Sequence, residues 1–147
     1  MSERSMSDDH TRLIGIWKMV SFDVQDQESG ERKPFYGDAA PNSYMIITPE
    51  GRMMVLVASE GREPGQTNEK QAGLFRTMLC YTGLYRFEGD KFITNVDVSW
   101  NESWTGTNQV RFYTLDGDRL DIMTACMPNP IQPERISRGI LSWKRAE

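Results

Sequence analysis

The sequence predicts an all-β protein: an eight-stranded antiparallel up-and-down barrel with a short N-terminal helix and one inserted helix near residues 68–80. Three observations predict it. Three Gly-centred turns, Pro49-Glu50-Gly51-Arg52, Glu88-Gly89-Asp90 and Asp116-Gly117-Asp118, each separate two runs of strand composition, as β-hairpins require. An opening and a closing strand complete a set of eight, a number that closes a barrel able to hold side chains or one small ligand. The chain has 147 residues, 38% of them apolar, which is one domain's worth with enough apolar material for a core.

Taken in order, Ser7-Asp8-Asp9 can cap a short helix that ends near Gly15. Residues 1–10 read as a flexible N-terminal segment ahead of a single barrel domain over 11–147. The opening strand runs from Ile16 to Asp26, and the first hairpin joins Tyr44–Thr48 to Arg52–Ala58. An insertion follows. Its loop, Ser59 to Thr67, holds Gly61, Pro64 and Gly65, and Asn68 with Gln71 resembles a capping box. Leu74, Phe75, Met78 and Leu79 then make one apolar helical face. A helix capping one barrel mouth would account for the insertion; a helix packed outside the barrel is the alternative. The second hairpin joins Tyr81–Phe87 to Lys91–Trp100, and the third joins Thr107–Leu115 to Arg119–Ala125. Three prolines between Met127 and Pro133 forbid a central strand and predict a rigid loop. The closing strand runs from Arg138 to Arg145.

Composition excludes several functions. The formal net charge of −4 argues against a nucleic-acid partner, and no apolar stretch is long enough to span a membrane. The polar N-terminus lacks the apolar core of a signal peptide, and two cysteines read as free thiols, which predicts a cytoplasmic protein. Cys80 and Cys126 read as inert buried thiols. His10 is the only histidine and sits in the N-terminal segment. No body histidine can then act as a general base or build a metal site, so no metal and no cofactor are expected.

Gly15-Ile16-Trp17 heads the first strand. Gly allows a tight approach from the preceding helix, and Trp17 supplies a large apolar plate to plug one barrel end. Gly-x-Trp at this place resembles the signature of lipocalins and related calycin barrels. Further stretches resemble the bacterial and fungal lipocalin-like domain family: Leu13 to Phe22, Tyr44 to Met53, Tyr81 to Arg86, Val96 to Thr107, Gln109 to Phe112 and Gly117 to Leu120. The resemblance spans Leu13 to Trp143 and implies a barrel with an internal small-molecule site. It implies no particular substrate. Members of that family often carry His where Asn95 stands here, and an amide cannot serve as a general base.

Strand alternation offers two arrangements of the interior. In one, the apolar sets point inward: Phe92, Val96, Val98 and Trp100; Val110 and Phe112; Leu120 and Ile122. In the other, which rests on the family pattern, Asn95, Asp97, Gln109 and Arg111 enter a partly polar cavity. Asp97 and Arg111 would then pair, because an unpaired buried charge is costly, and would orient a ligand carboxylate or enol. Trp17, Tyr44, Tyr81, Tyr85, Trp100, Trp104 and Phe112 are the aromatic candidates for ligand contact, with Trp17 read chiefly as the plug. Trp100 and Trp104 flank a loop at one barrel end, where they line a mouth or pack on the inserted helix. Met45, Met53, Met54, Met78, Met123 and Met127 fall near core or mouth positions, where methionine fills irregular gaps.

These readings lead to a barrel that binds a small hydrophobic ligand, with a homodimer as a candidate assembly. The alternative is a cofactor-independent cyclase, isomerase or hydratase acting on a polyketide- or terpenoid-like substrate in the same cavity. A third option is a structural barrel filled by its own side chains. A cavity of a few hundred Å³ separates the first two from the third.

Overall fold

The computed structural model describes residues 6–35, 42–128 and 132–146. Helix α1 (Met6–Leu13) leads into β1 (Gly15–Asp26), then β2 (Arg32–Pro34), β3 (Tyr44–Ile47) and β4 (Arg52–Ala58). Helix α2 (Asn68–Arg76) follows, then β5 (Met78–Glu88), β6 (Lys91–Ser99), β7 (Asn108–Asp116), β8 (Arg119–Met123), β9 (Met127–Pro128) and β10 (Ile136–Arg145). Eight strands close an antiparallel barrel in the order β1-β3-β4-β5-β6-β7-β8-β10, and β10 pairs back onto β1 from Trp17↔Arg145 to Asp26↔Ser137. The three predicted turns make the β3–β4, β5–β6 and β7–β8 hairpins. The short strands β2 and β9 were not expected; each extends one edge, on β1 and on β10. Pro128 is tolerated because β9 lies at that edge. Residues 129–131 of the predicted proline loop lie outside the described residues.

One end of the barrel is packed shut. Trp17 is fully buried beside Leu13, and its Nε1 donates to the Leu13 carbonyl at 2.9 Å. The Arg145 guanidinium lies 4.3 Å from the centre of the Trp17 ring and donates to the carbonyls of Ile14 (2.9 Å) and Arg12. One cation thus covers the aromatic face and satisfies carbonyls left open where α1 ends. Gly15 makes this possible. Its φ of 138° disfavours a side chain, and a Cβ there would stand 2.7 Å from the same guanidinium. The expected N-terminal helix is present as α1, and the ring of His10 within it stacks on Phe87 at 3.6 Å. Residues 1–5 lie outside the described residues.

Three further expectations change. The inserted helix ends at Arg76, and Met78 and Leu79 open β5, so the apolar face read as one helix spans a helix and a strand. The helix is capped by Thr67, whose hydroxyl accepts from the Lys70 amide at 3.2 Å, one residue before the predicted cap. Cys126 is exposed, whereas Cys80 is half-buried and burial pushes its thiol pKa up.

The interior combines both predicted arrangements. On β8, Leu120 and Ile122 point inward, as in the apolar arrangement. On β7 the polar arrangement holds: Gln109, Arg111 and Tyr113 face in, while Val110 and Phe112 face out. Register explains it. Directly opposed residues of an antiparallel pair share a face, and Phe92↔Arg111 follows from the β6–β7 pairing. With Phe92 buried inside, Arg111 must be inside too. On β6 a bulge between Thr82↔Val98 and Gly83↔Val96 breaks the alternation, so Asp97 and Val98 are both exposed. Gly83 permits this close approach, since a Cβ there would overlap the Asn95 carbonyl.

Candidate ligand cavity

Above the packed end the barrel holds a cavity of about 530 Å³. The option of a barrel filled by its own side chains therefore falls. Met45, Met53, Phe92 and Trp143 form the layer nearest the packed end, each set by its register: Met45 opposite Trp17, and Trp143 opposite Met19 and Leu120. Val55, Ile122 and Leu141 continue the wall, with Phe22 and Val24 of β1 beside them. These residues sit on alternate positions of their strands, which is why one face of each strand serves the cavity.

Aromatic side chains shape the open end. The short 3-10 helix Glu102–Trp104, capped by the Asn101 side chain on the Ser103 amide (3.0 Å), sets Trp104 against Trp100 and Tyr81, with ring centres 5.0 and 5.4 Å away. Trp100 Nε1 donates to the Phe75 carbonyl at 3.2 Å, and its ring packs on Phe75 at 5.9 Å. Helix α2 is thereby tied to the mouth, where Phe75 and Arg76 join the lining. This is the mouth-capping position that the insertion suggested. Phe75 is 45% exposed and no α2 residue is buried, so the helix roofs the rim without plugging it. At the same rim Arg135 forms a two-pronged ion pair with Asp26 (2.7 and 2.8 Å), which joins the end of β1 to the loop before β10. That pair holds the Asp26 carboxyl well below the usual carboxylate range, Arg135 being the main cause and the Ser29 amide the second.

The polar part of the lining lies along β7. Arg111 Nη2 donates to Gln109 Oε1 (3.1 Å), Gln109 Nε2 donates to Thr107 Oγ1 (2.9 Å), and that hydroxyl donates to the Trp104 carbonyl (2.6 Å). Residues 107, 109 and 111 share one face of the chain, so alternation places this hydrogen-bond ladder along the cavity wall. It ends on the backbone that carries Trp104 and fixes the Arg111 guanidinium. Gln109 was read as a member of a polar set; the ladder to Thr107 depends on the turn before β7 and left no local signal in the sequence. Trp143, a lining residue that the sequence reading did not single out, has no hydrogen-bond partner on its buried Nε1 among the described residues.

Of the residues picked from sequence, Tyr81, Trp100, Trp104, Gln109 and Arg111 line the cavity together. Five do not. Tyr44 is 45% exposed on the outer face of β3, with Lys18 Nζ 3.1 Å from its hydroxyl. Asn95 faces out and donates to Asn108 at 3.1 Å. Asp97 pairs with Arg52 at 2.8 Å on the outside, which lowers the carboxyl pKa, and so never meets Arg111. Phe112 stands opposite Lys91 on the outer face. Tyr85 lies below the cavity, stacked on Phe92 at 5.3 Å, with its hydroxyl donating to the Thr48 carbonyl at 2.7 Å. Burial there raises its phenol pKa, with Glu50 adding to the effect.

No curated protein matches the chain. Among solved structures, a redesigned β-barrel aligns at TM-score 0.47 with 13% identity, covering 98% of this chain and all of that one. A family model described as a lipocalin-like domain matches residues 14–146, from the residue before Gly15-Ile16-Trp17 to the residue after Arg145. With the closed eight-stranded barrel, the capped tryptophan end and a cavity open at the other end, the chain belongs to the lipocalin-like domain family.

Proposed function

We propose that the protein is a container for one small, largely apolar molecule held in the barrel cavity. The observation that carries this reading is the cavity itself. About 530 Å³ bounded mainly by Met, Phe, Trp, Val, Ile and Leu side chains is the size and chemistry of a small-molecule site. Methionines at the lining, Met45, Met53, Met78 and Met127, suit a ligand of irregular outline. The groups among the described residues whose pKa is displaced, Asp26, Arg52, Cys80, Tyr85, Asp97 and Arg135, all lie off the lining, which favours containment over the cyclase, isomerase or hydratase alternative.

The test is a titration with 1-aminoanthracene, a neutral flat probe whose emission rises in apolar surroundings. Saturable binding at one site per chain is expected. Val55→Trp, which projects a large ring into the cavity, should weaken that binding by about tenfold or more, in line with the cost of overpacking. Equal binding by both proteins, or a signal that never saturates, would remove the reading.

A further inference from the structure

We infer that the cavity is built for an apolar molecule carrying an oxyanion, a carboxylate foremost, which pairs with Arg111. The inference rests on the container reading and adds the chemical class of the ligand. In a chain of net charge −4, no Asp or Glu among the described residues lines the cavity, yet Arg111 and Arg76 do. Arg138 touches the cavity as well, but its Nε is engaged by Gln25 at 3.0 Å, one position out of phase with the inward Val24 and Gly139. Arg76, at the mouth, has no ion pair or side-chain hydrogen bond among the described residues.

Arg111 is the sharper case. The one acid that the sequence offered as its partner, Asp97, is held by Arg52 on the outer face. No carboxylate among the described residues lies within ion-pair distance of Arg111. A guanidinium has five N–H donors; Gln109 and the Val110 carbonyl take one on each terminal nitrogen. The Nε–H and one hydrogen on each terminal nitrogen stay available, which is the fork that a carboxylate accepts in two-pronged fashion. The ladder through Gln109 and Thr107 holds the fork in place before any ligand arrives, so little order must be imposed on binding.

The experiment compares dodecanoate with dodecanol, both below micelle formation and at neutral pH, by calorimetric titration of the wild-type protein, Arg111→Met and Arg111→Lys. Wild type should bind the acid about tenfold or more tightly than the alcohol, as charge-assisted hydrogen bonds imply. Arg111→Met should abolish that preference while alcohol affinity stays within about twofold; Arg111→Lys, which keeps the charge, should retain part of it. Unchanged alcohol binding also shows that the variants are folded. If acid and alcohol bind wild type equally, or if the preference survives in Arg111→Met, the oxyanion assignment is overturned and the container reading stands. If neither compound binds wild type, both fall.

Discussion

Trp17 shows how much a single residue does at the packed end. It is fully buried, hydrogen-bonded to Leu13 and covered by Arg145. Trp17→Ala should cost about 3–5 kcal/mol, the range for emptying a large aromatic site, and would show as a lowered midpoint in urea unfolding. Gly83→Ala should also destabilise, by about 1–3 kcal/mol or more, because its Cβ would overlap backbone and not a yielding side chain. The first of these was readable from sequence, since Gly-x-Trp states both the tight approach and the plug. The second was not. Gly83 sits inside a run of ordinary strand composition, and its necessity arises from a bulge on the neighbouring strand. Asp97 was misplaced together with Asn95, because Phe92 and Val96 face the interior and alternation turns both outward; what a period of two cannot reveal is the bulge, which exposes Val98 as well.

At the scale of elements, the mouth depends on two ties. The first joins α2 to the barrel through the Trp100 indole and the Phe75 carbonyl. Trp100→Phe removes that hydrogen bond and keeps an aromatic ring. Dissociation of a bound probe, followed by stopped-flow fluorescence, should become several-fold faster, consistent with the loss of about 1 kcal/mol from one hydrogen bond. The second tie is Asp26–Arg135. Its carboxyl pKa is depressed in the folded protein from an ordinary value near 3.8, so the stabilisation is present above that value. It is lost as pH falls below it toward the folded-state pKa. Thermal midpoints of wild type and Asp26→Asn should therefore differ at neutral pH and converge as acid protonates Asp26. The elements themselves were largely legible, because Gly-centred turns and strand runs fix three hairpins. Which way β7 faces was not, because it follows from pairing with β6: Val110 and Phe112 look like core until Arg111 is set opposite Phe92.

For the whole molecule, the central claim is that the barrel is a vessel, shut at the Trp17 end and open beneath α2. The eight strands and the closed topology follow from sequence pattern, but the existence of an empty interior does not. A cavity depends on which side chains fail to reach one another, and neither composition nor periodicity encodes that. The four tryptophans provide a direct test, because each indole N–H gives its own signal in a nitrogen–proton correlation spectrum. Trp100, Trp104 and Trp143 line the cavity, whereas Trp17 lies off the lining with its N–H bonded to Leu13. On saturation with 1-aminoanthracene the signals of the three lining indoles should shift while that of Trp17 stays in place. Unmoved signals from all of the lining indoles, or a response dominated by Trp17, would contradict it.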